Sequence, residues 1–197
     1  DQGGLGFVEL AYDPQVLGEL CRIRSALLAD CSTPERIALR GVLLGALHGP
    51  KTKSSPSYFS NQSQRTYAPK PKYAVKYWKA HGLFPPPMNV LDVIERRAKR
   101  YYSELPAAKG EAFLADSRHA EFWHGIGRGF DWVITSPPYF GMDTYLPDQW
   151  LRLWMVGGKP EVDYGTTSQL CHGRQSFMAD LRCVWGNVAT VCNRTAK

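Results

Sequence analysis

The sequence predicts an α/β protein whose first half is largely helical, and three observations predict this class. Apolar residues recur at helical spacing in segments 13–30, 34–48 and 89–103. The segment FDWVIT (130–135) is apolar enough to be a strand that is buried on both faces, as in a parallel sheet. A shorter predicted strand in EAFLADSR ends at Asp116, so the two strands would form a β–x–β unit.

The first domain segment, residues 1–48, is predicted to hold a pair of helices. Asp13 is a plausible N-cap, and Pro14 occupies the favoured first helical position. A Ser or Thr before Pro34 repeats this pattern at the start of the second helix. Because the two helices are consecutive and closely connected, we expect them to form an antiparallel pair.

The second domain segment, residues 49–110, carries the positive charge of the chain. Residues 50–102 contain eleven basic and two acidic residues, a net charge of +9. The remaining thirteen basic and sixteen acidic residues give a net charge of −3. Positive charge concentrated in one segment indicates a surface that binds a polyanion, since charge that serves only solubility need not be concentrated. The alternative is a solvated helical insertion whose lysine heads extend into water.

Aromatic side chains are interleaved with these basic residues in a long Ser- and Pro-rich loop and in the helices that follow it, predicted at 72–81 and 89–103. Basic groups neutralise phosphates, and aromatic groups can contact bases. We therefore predict that this segment is a DNA-recognition region. The residues assigned to DNA binding are Lys70, Lys72, Lys76, Arg96, Arg97 and Arg100.

The motif TSPPY (135–139) directly follows the second predicted strand. Ligands collect beyond the carboxyl ends of strands in open α/β sheets. Two prolines stiffen the turn and leave carbonyl acceptors in fixed directions. With the hydroxyl of Ser136 and the ring of Tyr139, the turn could hold a planar heterocycle by its exocyclic amine. The alternative is a rigid surface turn with Tyr139 packed on the core.

The stretch LADSR…FDWVITSPPYFGMDTYLPDQWLRLWMVGG resembles the bacterial S-adenosylmethionine-dependent DNA amino-methyltransferases of the Ser-Pro-Pro-Tyr type. The resemblance covers about residues 112–158 and is weaker over 7–48. It implies that 111–197 is the catalytic part of a partial, Rossmann-like methyltransferase core. It further implies methyl transfer to the exocyclic amine of a flipped base. Thr135 in place of Asp favours cytosine N4 over adenine N6.

The resemblance also implies roles for single residues of the motif. Ser136 and the carbonyl of Pro137 would accept hydrogen bonds from the target amine. Pro138 would fix the turn, and Tyr139 would stack on the flipped base. These four residues are the predicted catalytic residues.

The resemblance implies S-adenosylmethionine as cofactor, near Asp116, Ser117 and Thr135. The glycine-rich cofactor loop of the family is not visible. The glycines of DQGGLGFVE follow no apolar strand, and GIGRGF (125–130) precedes a strand instead of connecting a strand to a helix. Surface turns explain both patterns. The expected partners are double-stranded DNA and either a missing N-terminal segment or a second subunit that carries the loop.

The sequence predicts neither a membrane-spanning segment nor a metal site. The sequence has no apolar stretch of 18 residues, and its five scattered cysteines show no metal-ligand spacing. We predict buried or free thiols that mainly serve as small core residues, no metal site, and a location in the bacterial cytoplasm with the nucleoid.

Two further functions remain open at this point. One is a non-catalytic DNA-binding remnant or specificity subunit of a methyltransferase system, which keeps the turn as a scaffold. The other is methylation of protein glutamine or RNA, where the turn usually reads Asn-Pro-Pro-Tyr. Ser136 and the basic segment argue against that second alternative.

Overall fold

The structure is a computed structural model that describes residues 5–51, 55–60, 71–104, 110–137, 139–140, 145–162 and 173–197. The side chains of residues 5–6 and 145–148 lie outside this description. Within the described residues the chain forms helices α1 (Leu5–Ala11), α2 (Pro14–Ala29), α3 (Pro34–Ala46), α4 (Pro71–Ala80), α5 (Val90–Tyr102), α6 (Ala120–His124), α7 (Tyr145–Met155) and α8 (Arg174–Ala189).

The predicted α/β, Rossmann-like core is wrong, because the described residues contain helices but no strand or sheet. Both predicted strands are irregular. Phe130 forms an isolated parallel bridge with Cys192, and the amide of Lys197 donates to the carbonyl of Asp131 at 2.9 Å. A strand needs a neighbouring strand to accept its hydrogen bonds, and apolar periodicity does not report whether one is present. Ile134 accordingly remains 93% exposed.

The chain divides into two compact units. Unit 1 comprises Asp1–Ala107 and Thr144–Tyr164, and unit 2 comprises Ala108–Asp143 and Gly165–Lys197. The first two predicted domain segments therefore lie almost entirely in unit 1. Helix α7 also belongs to unit 1, although the sequence grouped it with the catalytic segment.

Helices α2, α3 and α5 begin at capping residues that satisfy otherwise unpaired backbone N–H groups. The side chain of Asp13 accepts hydrogen bonds at the start of α2, and Thr33 does so at the start of α3. Asn89 caps α5 in the same way, through Oδ1. The predicted starts of these three helices are confirmed.

The core of unit 1 is built around aromatic side chains. The ring of Phe7 on α1 lies 5.2 Å from the ring of Trp78 and 5.4 Å from that of Trp150. The hydroxyl of Tyr12 donates to the carbonyl of Leu47 at 2.7 Å, deep in this core.

Helix α1 was not predicted, because its glycine-rich surroundings indicated a turn. Helix α3 packs mainly against α5, so the expected α2–α3 pair is not the principal helix contact.

Unit 2 buries much less apolar surface. Among its described residues, the buried hydrophobic side chains are Phe177 and Val191. Helix α6 packs on α8, and residues 129–133 run beside the segment that follows α8. In the described part of the chain, no helix has the length and apolar character needed to cross a membrane.

The cysteines differ from their predicted role as core residues. Cys21 and Cys183 are exposed, while Cys31 and Cys192 are partly buried, and all four are free thiols. Cys171 lies outside the described residues. Among the residues that the structure describes, no group of His, Cys, Asp and Glu side chains could hold a metal ion.

Candidate functional site

Unit 2 contains a cavity of about 380 Å³. One wall is a stripe along α8, whose members follow its first residue by 3, 4, 7, 8 and 11 positions and therefore share a helix face. This wall consists of Phe177, Asp180, Leu181, Val184, Trp185 and Val188. The other wall comes from earlier in the chain and consists of Ser117, Arg118, Trp123, Val133, Ile134, Thr135, Ser136 and Pro137.

The turn that carries Ser117 and Arg118 is held against α8 by hydrogen bonds to its carbonyl groups. Nδ2 of Asn187 donates to the carbonyl of Ser117 at 3.1 Å and to that of Arg118 at 3.0 Å. Nε1 of Trp123 donates to the carbonyl of Ser117 at 2.9 Å, and Sγ of Cys183 donates to that of Arg118 at 3.2 Å. Two successive carbonyls are thus fixed, which sets the position of this cavity wall.

Arg118 lies between two carboxylates. Its Nη2 contacts Oδ2 of Asp116 at 2.6 Å, and its Nε contacts both oxygens at 3.0 and 3.1 Å. Its Nη1 reaches Oδ1 of Asp180 at a longer distance of 3.4 Å. Hydrogen bonds from Arg118 lower the pKa of Asp116 well below its usual range, and the same bonds raise the pKa of Arg118. Asp116 therefore neutralises most of the charge of Arg118.

The structure brings several of the predicted site residues together. Ser136, Pro137, Thr135 and Ser117 all line the same cavity, although Ser117 is 18 or more positions from the others along the chain. Proximity of this kind between the two predicted subsites is what a shared binding site requires. Hydrogen bonds from α8 hold the Ser117 side of the cavity, and among the described residues no sheet places the two segments side by side.

Three predicted site residues are not part of the cavity wall that the structure describes. Asp116 reaches the cavity only through Arg118. Tyr139 is 61% exposed and is not among the lining residues. Pro138 lies outside the described residues. The predicted roles of these three residues stay predictions.

Five of the six predicted DNA-binding residues lie within the described part of the chain, on two helices of unit 1. Lys72 and Lys76 are exposed on α4, and Arg96 and Arg100 are exposed on α5. Lys70 lies outside the described residues. The exposed Lys72, Lys76 and Arg100 can face an anionic partner, whereas Nη2 of Arg96 donates to the carbonyl of Pro56.

Arg97, also on α5, has a structural environment that the sequence did not indicate. Its Nε donates to the carbonyl of Ser57 at 2.6 Å, and its Nη1 donates to the hydroxyl of Tyr101 at 2.7 Å. The guanidinium group also lies 4.5 Å from the ring centre of Tyr58. Arg96 donates to the neighbouring carbonyl of Pro56 at 2.8 Å. These two arginines attach residues 56–58 to α5.

Sequence reasoning missed the carboxylate of Asp180 and the amide of Asn187. Both lie on α8. A signal was present, because Asp180 interrupts the apolar stripe that begins at Phe177 and continues at Leu181 and Val184. A carboxylate on an otherwise apolar helix face indicates a polar partner or ligand on that side.

The described residues do not form a complete site for S-adenosylmethionine. Asp116 was expected to accept a hydrogen bond from this cofactor. Its Oδ1 accepts from the amide and Nε of Arg118, and its Oδ2 accepts from Nε and Nη2. A cofactor would have to displace Arg118 to reach these oxygens. Ser117 and Thr135 remain at the cavity wall.

We compared the chain with family models, with curated proteins and with solved structures, and none of them matches it.

Proposed function

We propose that this protein is a DNA methyltransferase that transfers a methyl group from S-adenosylmethionine to the exocyclic amine of a flipped base, with cytosine N4 favoured over adenine N6. One observation carries this proposal. Three residues of the TSPPY motif, Thr135, Ser136 and Pro137, line one cavity together with Ser117. The proposal rests on the chemistry of that cavity and on the motif, and it does not require a Rossmann-like fold.

The cavity has the properties that a flipped base needs. A volume of about 380 Å³ is near the lower end of the range for small-molecule sites, so it suits one planar heterocycle. The hydroxyl of Ser136 and the carbonyl of Pro137 are acceptors for an exocyclic amine. The indoles of Trp123 and Trp185 contribute aromatic surface to the walls. Because the amine is paired inside a duplex, the base must leave the stack before it can enter.

The proposed methyl donor needs residues beyond those described here. Among the described residues, with Asp116 paired to Arg118, the cavity wall has no acceptor-rich subsite large enough for S-adenosylmethionine. We therefore include in the proposal a further segment or a second subunit that carries a glycine-rich cofactor loop. Bound S-adenosylmethionine would supply the electrophilic methyl group, and the residues of this chain would hold and orient the amine.

The proposed partner is double-stranded DNA, which unit 1 would contact through its basic residues. The net charge of +9 in residues 50–102 and the exposed Lys72, Lys76 and Arg100 support this contact. Phosphate contacts of this kind position the protein without reading sequence. A location in the bacterial cytoplasm, together with the nucleoid, follows from the proposed substrate.

The test is a methyl-transfer assay with the full chain, methyl-labelled S-adenosylmethionine and double-stranded DNA, run alone and with any candidate partner that carries the cofactor loop. Digestion of the DNA and mass analysis of the nucleosides identifies the methylated base. We expect N4-methylcytosine. The Ser136→Ala variant should lose most of the transfer, because it removes an acceptor for the amine. The control is Ser176→Ala, which changes a serine of α8 that does not line the cavity.

The competing function is a non-catalytic DNA-binding subunit. Salt-dependent DNA binding with no methyl transfer in either form of the assay would favour it and would overturn the enzyme proposal. Methyl transfer that is unchanged in both the Ser136→Ala and the Tyr139→Ala variants would show that the reaction occurs at a different site.

A further inference from the structure

Asp180 is the carboxylate that faces the cavity from α8. Its side chain is 29% exposed, and it belongs to the same wall as Phe177, Leu181 and Val184. Three hydroxyl-bearing residues, Ser117, Thr135 and Ser136, lie on the other wall. Beside the guanidinium of Arg118 and the indole N–H groups of Trp123 and Trp185, the polar side chains of the wall are these hydroxyls and Asp180, which is the strongest acceptor among them.

The hydrogen-bonding capacity of Asp180 is largely unused. Arg118 directs Nε and Nη2 at Asp116, with contacts of 2.6 to 3.1 Å, and reaches Asp180 only with Nη1 at 3.4 Å. In the described part of the chain this is the one hydrogen bond that Asp180 receives. A carboxylate has about four acceptor positions, so a ligand that brings N–H groups can bind to those that remain.

A carboxylate accepts hydrogen bonds and cannot donate them, so it distinguishes ligands by the group that they present. An exocyclic amine offers N–H donors, whereas a carbonyl oxygen at the same position is repelled. We propose that Asp180 is a specificity-determining residue of the cavity, which selects bases with an exocyclic amine over their oxo counterparts. This inference rests on the proposed function and adds a residue that determines its substrate class.

Arg118 strengthens this selection through its position. It is neutralised mainly by Asp116, so the triad of Asp116, Arg118 and Asp180 keeps one net negative charge. The longer contact also limits the freedom of the Asp180 carboxylate, which reduces the entropy lost when a ligand binds. The cavity thus presents a partly oriented acceptor next to apolar and aromatic surface.

The experiment compares two pairs of nucleosides, cytidine with uridine and adenosine with inosine. In each pair the first member carries an exocyclic amine where the second carries a carbonyl oxygen. Binding to the full chain is measured by saturation-transfer NMR and by the fluorescence of the cavity-lining tryptophans Trp123 and Trp185. We expect each amino nucleoside to bind at least about tenfold more tightly than its oxo counterpart, as a site built for a hydrogen-bond donor does.

The variant Asp180→Asn keeps the shape of the side chain but offers both a donor and an acceptor. We expect its preference for the amino nucleosides to fall to about onefold, whereas the control Glu121→Gln, which removes an exposed carboxylate on α6, keeps the preference of the unmodified chain. Should Asp180→Asn fail to fold, the carboxyl carbon signal of Asp180 in the unmodified chain gives the answer. It should shift on addition of cytidine and stay in place with uridine.

Three results would overturn the inference: no preference for amino nucleosides in the unmodified chain, no binding of either pair at millimolar concentration, or an unchanged preference in Asp180→Asn. Failure of the proposed function has a different outcome. A preference that depends on Asp180, combined with no methyl transfer to DNA, would support the inference and contradict the proposed enzyme activity. Methyl transfer to DNA, combined with an unchanged preference in Asp180→Asn, would support the enzyme activity and contradict the inference.

Discussion

Asn187 on α8 holds the backbone of Ser117, 70 positions earlier in the chain, through a hydrogen bond of 3.1 Å from Nδ2 to the carbonyl oxygen. The same amide group donates to the next carbonyl, that of Arg118, at 3.0 Å. The two walls of the cavity are therefore connected by a side-chain amide that bridges α8 and the 116–119 turn. This connection fixes the position of the 116–119 turn on α8.

Removal of this amide should loosen the cavity wall. We expect Asn187→Ala to lower the free energy of unfolding of unit 2 by about 1–2 kcal/mol, because two partly buried carbonyls lose a donor. Asn187→Asp should cost more, since a carboxylate would face the same carbonyls. Hydrogen exchange measured by mass spectrometry should show faster exchange at residues 116–119 in both variants. Exchange rates equal to those of the unmodified chain would contradict the prediction.

The pairing of Arg118 with Asp116 predicts a specific pH dependence. The folded-state pKa of Asp116 is lowered, so the contribution of this pair is complete above the ordinary value of 3.8 and is lost only as the pH falls through the lower, folded-state pKa. We expect Arg118→Met to return the Asp116 pKa toward 3.8. Titration of carboxyl carbon signals by NMR measures this change. Arg182→Met on α8 is the matched control and should leave Asp116 unchanged.

Substitution of Arg97 should affect mainly stability, and substitution of Arg100 should affect mainly DNA binding. Arg97→Ala removes two hydrogen bonds and a ring contact, so we expect it to destabilise unit 1 by about 1–3 kcal/mol. Arg100→Ala should change stability by less than about 0.5 kcal/mol, because this side chain is exposed. If Arg100 contacts phosphate, its removal should reduce the slope of log K against log salt by about 0.9. An unchanged slope would exclude Arg100 from the DNA interface.

His48 should make unit 1 sensitive to acid. Burial beside the rings of Phe7 and Trp78 lowers its pKa from 6.5 to about 4. The unfolded chain therefore binds a proton more readily than the folded chain between these values, and stability falls as the pH decreases from 6.5 toward 4. The loss is at most about 3.4 kcal/mol, from a pKa difference of about 2.5 at 1.36 kcal/mol per unit. Denaturation curves over this pH range should show a smaller slope for His48→Gln than for the exposed control His124→Gln.

The sequence by itself determined the local features of this protein. The capping residues Asp13, Thr33 and Asn89 fix the starts of their helices, because a cap acts on N–H groups two or three residues away. The sequence assigned Ser136 and Pro137 to the catalytic turn and Ser117 and Thr135 to the cofactor, and all four line one cavity, while their roles stay predictions.

The tertiary structure alone decided which of these features meet. Whether 130–135 forms a strand depends on a partner strand, and the described residues provide only an isolated bridge at Phe130. Asp180 joins the cavity because α8 packs there, and it meets Arg118 across 62 positions of the chain. The contacts of Arg97 with Ser57 and Tyr58 also depend on the packing of residues that are far apart in the sequence. Contacts between residues far apart in sequence depend on packing, which periodicity and local chemistry do not determine.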